Sequence, residues 1–161
     1  KLRLGTHCYK HAWHAELWHK RLPELREMNP ARLTLPANDA LVRFVDAMTE
    51  PEDASLTIEK LVGVYRVYIP HFISAYTYHL NNTSEITDMP TIRSLKFILQ
   101  DEFEDWRDGE MLIQSLLETP EHVDRAAAHQ AKLEKLMLEA GGIAGHGSIG
   151  INTQAPQGAM S

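Results

Sequence analysis

A chain of 161 residues with 43% hydrophobic and 24% charged side chains has the size and balance of one globular domain with its own core. Twenty-two acidic residues against sixteen basic ones leave a net charge of −6 and no basic run, which excludes the surface that nucleic acid requires. No stretch nears the roughly 18 to 20 uninterrupted apolar residues that cross a bilayer, and the single cysteine, Cys8, excludes an internal disulfide framework.

The elements predicted in chain order are all helical. Thr6 to about Met28 forms the first helix, with His7, His11, His14, Trp18, Leu22 and Leu25 on one face at 100° per residue. Pro23 should kink it or begin it anew, and Asn29-Pro30 ends it. A short extra helix follows over about Asp39 to Met48, where Leu41, Phe44, Val45 and Met48 keep helical spacing. After Pro51-Glu52-Asp53, with Asp53 or Ser55 as cap, a long apolar helix runs from about Ser55 to Leu80. Ile58, Leu61, Val62, Tyr65, Ile69, Phe72, Tyr76 and His79 share its face, and Pro70 should bend it.

Asn81-Asn82-Thr83 marks a turn, and Asp88-Met89-Pro90 starts a fourth helix that reaches about Glu118, with Asp88 as capping residue. Thr119-Pro120 starts the fifth, C-terminal helix, which Gly141-Gly142 stops after Ala140. Short connections between long helices predict antiparallel neighbours, hence an all-α, up-and-down bundle over residues 1–140. Residues 141–161 hold six of the nine glycines and read as a flexible tail, an arm through which a protein partner or second copy would bind. The start, Lys1 to Tyr9, has no apolar core of a signal peptide, so the expected setting is cytoplasmic, without membrane association. The chain does not begin with Met, as expected of one trimmed or cut from something longer.

Glu102 is the most informative position, because it falls at the middle of the arc of Leu95, Ile98, Leu99, Phe103 and Trp106. A carboxylate facing a core is costly unless paired, hydrogen-bonded or bound to a cation. Asp105, three residues on at the edge of that arc, can point at the same site. The row His7, His11, His14 offers up to three imidazoles on one stripe. With His79, Glu102 and Asp105 these residues compose a nitrogen and oxygen donor set suited to iron, manganese or zinc. Histidines bonded to neighbouring carboxylates or backbone are the plainer alternative. Tyr65 and Tyr76 read first as core residues with a bonded hydroxyl, and His129 reads as part of a solvated face. Gly145-His146-Gly147-Ser148-Ile149-Gly150 matches a dinucleotide fingerprint but follows a helix where that motif needs a strand, so it is set aside.

The stretches Asp88-Met89-Pro90-Thr91-Ile92-Arg93-Ser94-Leu95 and Asp101-Glu102-Phe103-Glu104-Asp105 resemble the last core helices of ferritin-like proteins. His14-Ala15-Glu16 with Arg21-Leu22-Pro23-Glu24-Leu25 is similar to the first helix of some uncharacterised bacterial members, so the resemblance spans about residues 6–118. It implies a four-helix bundle and, in many members, iron and oxygen chemistry. The family's Glu-x-x-His would fall on Glu102 and Asp105, with aspartate in place of histidine, and Tyr76-x-x-His79 stands where a second such motif would be. On this reading Glu102 and Asp105 supply oxygens, His11, His14 and His79 supply nitrogens, and Tyr76 orients a ligand or donates a proton. The alternatives are a non-catalytic scaffold or interaction module that has lost the metal centre, with Glu102 neutralised by a histidine or Arg93, and a helical pocket with a histidine-ligated haem.

Overall fold

The computed structural model describes residues 2–22 and 34–145, and every regular element among them is helical. Helix α1 spans Leu2–His19, α2 Asp39–Thr49, α3 Thr57–Val62, α4 Ile69–Asn82, α5 Met89–Leu116 and α6 Pro120–Glu139. A 3-10 turn, Ala54–Leu56, leads into α3, and a π-helical turn, Gly63–Tyr68, joins α3 to α4 in one uninterrupted run. No helix of the described residues is long and apolar enough to cross a membrane.

Local chemistry explains most boundaries. Asn38 caps α2 by accepting from the Leu41 amide at 2.9 Å, and Asp53 caps the 3-10 turn by accepting from the Ser55 amide at 2.7 Å. Thr119 caps α6 through the His122 amide, and Gly141 and Gly142 end it with φ of 79° and 82°, a conformation that disfavours side chains. Asp88 departs from expectation. Its Oδ1 accepts from the Thr91 hydroxyl at 2.7 Å and from Arg21 at 2.8 Å, so it ties α5 to the end of α1 instead of capping a backbone amide.

The first helix begins earlier than predicted and ends at His19, with Lys20 to Leu22 in a closing turn. The expected continuation to Met28, the Pro23 kink and Leu25 lie outside the described residues, as do residues 146–161 of the expected tail. Gly141 to Gly145 belong to the packed body: Gly145 is buried, and Asn38 donates to its carbonyl at 2.7 Å.

The bend expected at Pro70 takes the form of the π-helical turn just before it. A proline ring would strike the carbonyl four residues back, that of Arg66. The helix widens there, and the Ile69 amide reaches the Val64 carbonyl, five residues back. One extra residue per turn shifts every later position by about 100°. Val67 is therefore fully buried, Leu80 is half-buried and His79 is exposed.

Two apolar clusters make the core of the described residues. One joins Ile58, Leu61, Val62, Tyr65 and Ile69 to Ile113 of α5 and Ala126 of α6. The other joins Phe44 of α2, Val67, and Leu133 and Met137 of α6. Neither contains a residue of α1. The pairs Glu59–Arg125 and His71–Glu134 show that α3 and α4 run parallel with α6.

Candidate metal centre

Helix α1 reaches the bundle through a polar face. His7 and His14 are its buried residues, and Lys10, His11, Leu17 and Trp18 are half-buried, a stripe at helical spacing. The opposing face of α5 carries Glu102 and Asp105, only 3% and 2% exposed, in line with Leu95, Ile98, Leu99, Gly109 and Ile113. Phe103 and Trp106, expected beside Glu102, are 39% and 38% exposed. Asp105 and Gly109 take the inward positions instead, so Asp105 sits at the centre of the buried arc.

Ionic partners descend along α5 as α1 ascends. Arg3 meets Asp108 at 3.2 Å, His7 meets Asp105 at 3.3 Å, His14 meets Asp101 at 3.0 Å and Arg21 meets Asp88 at 2.8 Å. The two helices therefore lie antiparallel along a seam of complementary charge.

Three donor side chains converge in its middle. One ligand atom each from His11, His14 and Glu102 lies within 4.8 Å of the others. Glu102 Oε1 stands 3.2 Å from His14 Nδ1 and 3.4 Å from His11 Nδ1. Asp105 Oδ2 lies 4.0 Å from His11 Nε2, beyond hydrogen-bond reach. Both Glu102 Oε2 and Asp105 Oδ2 are buried without a hydrogen-bond partner among the described residues. An uncompensated buried carboxylate oxygen is costly, and a cation is one of the few things that relieves it.

Electrostatics follow from these contacts. Burial opposes the charge of His14, but hydrogen bonds to Glu102 and Asp101 outweigh it and raise its pKa above 6.5. Burial likewise opposes ionisation of Glu102, and the hydrogen bonds from His11 and His14 win, holding it below the ordinary carboxylate value. His7 goes the other way, because burial outweighs the attraction of Asp105 and lowers its pKa. Its Nδ1 meets the Tyr65 hydroxyl at 2.6 Å, and burial pushes that phenol up to about 12.

Of the residues expected at a site, His11, His14 and Glu102 come together, with Asp105 beside them. His7 belongs to the adjoining Tyr65–His7–Asp105 chain. His79 is exposed and stands outside the cluster, for the reason of helical phase given above. Tyr76 accepts from Trp18 Nε1 at 3.1 Å and so fastens α1 to α4 next to the cluster. Arg93 lies over the Phe97 ring, 5.7 Å from its centroid, and Glu102 is paired with histidines instead. His129 is half-buried, its Nε2 enclosed beside Gly63 without a partner among the described residues, and not on a solvated face. Comparison with protein-family models, curated proteins and solved structures finds no match to the chain.

Lys10 and Asp101 were not singled out from the sequence. Lys10 Nζ lies 2.9 Å from Asp105, 3.2 Å from Asp101 and 3.4 Å from Glu104. Three residues after His7 and four before His14, Lys10 was findable as a member of the same stripe. An open pocket of about 480 Å³, lined by Arg3, Thr6, Lys10, Arg107 and Asp108, reaches His7 and Asp105 from outside.

Proposed function

We propose that this chain is a ferritin-like helical bundle whose α1–α5 seam holds a divalent metal ion of the iron type, with manganese or zinc as alternates. The observation that carries the reading is the convergence of His11, His14 and Glu102 within 4.8 Å beside two buried, unpartnered carboxylate oxygens. Two imidazoles and a carboxylate form the donor set that non-haem ferrous iron takes with positions left open. An ion held there would supply Lewis-acid or oxidation–reduction chemistry at such a position. The ferritin-like part of the reading draws support from the all-helical fold and from the inward carboxylates of the Asp101 to Asp105 stretch.

The chain's own residues divide the remaining work. Glu102 and the imidazoles of His11 and His14 would hold the ion, with Asp105 Oδ2 within reach of the same region. Asp101 accepts from His14 Nε2 and orients that ring, as carboxylates behind ligand histidines do. His11, 31% exposed at the side chain, marks the side open to solvent.

A second reading rests on a different feature of the same seam. Both nitrogens of His14 already face carboxylates, so a doubly protonated ring would close α1 onto α5 without metal, in a non-catalytic scaffold. Dialysis against ferrous iron, manganese or zinc at neutral pH, followed by elemental analysis, separates the two. The metal reading expects about one ion per chain, lost in Glu102→Gln. Less than about a tenth of an equivalent in the parent with all three ions would establish the scaffold.

A further inference from the structure

We infer that this seam is built for a single metal ion because the ammonium of Lys10 occupies the place of a second. The inference rests on the metal reading above and names how many ions the site accepts. Its ground is the way two carboxylates are shared. Asp101 gives Oδ1 to Lys10 Nζ at 3.2 Å and Oδ2 to His14 Nε2 at 3.0 Å. Asp105 gives Oδ1 to Lys10 at 2.9 Å and turns Oδ2, unpartnered, toward His11 Nε2 at 4.0 Å. Asp105 therefore spans two cation positions, one framed by the histidines and Glu102, the other filled by Lys10, and Asp101 ties Lys10 to the back of the His14 ring.

Glu104 completes the second position with a third carboxylate at 3.4 Å. An ammonium has three N–H donors, no acceptor and a compact charge, so three carboxylates suit it. All-oxygen surroundings of this kind also suit a hard divalent cation. What stands there is fixed by the chain: Lys10 projects from α1 between His7 and His11, and its side chain is only 20% exposed. The consequence is one-ion chemistry in the parent protein, with Lys10 supplying the charge that a two-ion centre would draw from its second metal.

Replacing Lys10 with methionine keeps most of the stem and removes the charge. The parent should take one manganese ion per chain, and Lys10→Met should take two. The two-ion variant should show the exchange-coupled manganese spectrum of carboxylate-bridged ions in electron paramagnetic resonance, where the parent shows an isolated ion. Lys10→Gln, a second removal of the charge, should repeat the doubling if the methionine variant folds poorly. Lys10→Arg, which keeps the charge, should remain at one. One ion in parent and charge-removed variants alike would overturn the inference and leave the metal reading standing. Two ions in the parent would overturn it as well. No ion in the parent would overturn both.

Discussion

Tyr65 and Gly109 show how single residues hold the site in register. Tyr65 is 2% exposed, begins its approach to α1 from inside the π-helical turn, and ends with its hydroxyl against His7. Its ring lies where α5 passes, and a Cβ built on Gly109 would come within 2.0 Å of it. Only a glycine admits that contact, because the ring is boxed in by the core cluster and cannot swing away. Gly109→Ala is therefore expected to cost about 1–3 kcal/mol, as overpacking of a filled core does, read from the urea midpoint. An unchanged midpoint would mean that the ring has room to move. Tyr65→Phe should cost a similar amount, about 1–3 kcal/mol, by leaving His7 Nδ1 buried without its partner. The burial of Tyr65 was legible from its place in the apolar row. The need for Gly109 was not, since nothing local to the sequence says which side chain of another helix arrives there.

At the scale of the element, α1 is held largely by charge. Its inward stripe offers histidines and a lysine where an ordinary bundle helix offers leucine, with Leu17 and Trp18 as half-buried apolar contacts. Its hold on α5 must therefore depend on pH. His14, with its pKa raised in the folded state, adds stability that is complete below about 6.5 and is lost as pH rises through the folded value. Glu102, with its pKa lowered, adds stability that is present above about 4.5 and is lost as pH falls through its folded value. His7 is held neutral by burial, so it costs stability as pH falls below about 6.5. The clean measure is the gap in thermal midpoint between the parent and His14→Ala, in chelator. That gap should be widest near about pH 5.5 and should narrow steadily above about pH 6.5. A gap that stays constant to pH 9 would show that His14 contributes packing and no charge. The histidine stripe was readable in the sequence as a periodicity, yet its partners were not, because they arrive from a helix some ninety residues away.

For the whole molecule, the decisive fact is that both apolar clusters form without α1. The bundle of α2 to α6 should then fold without its first helix, and the site should not survive. A chain starting at Thr34 is expected to keep its helical signal and unfold cooperatively at a lower temperature. It should take up no metal, having lost His11 and His14 while keeping Glu102 and Asp105. Loss of cooperative unfolding on removal of α1 would show instead that the charged seam is part of what closes the core.

The sequence by itself determined the helical class, nearly all helix positions, and an inward carboxylate at Glu102, since periodicity, caps and prolines act over a few neighbouring residues. It also marked His7, His11 and His14 as one face. The tertiary structure decided the rest. It turned His79 outward through a π-helical turn that alters helical phase, and it moved Asp105 from the edge of the buried arc to its centre while leaving Trp106 exposed. It brought Lys10 and Asp101 into the same seam as Glu102. These depend on which helices meet and at what rotation, and that is fixed by packing between distant segments, which no local spacing encodes.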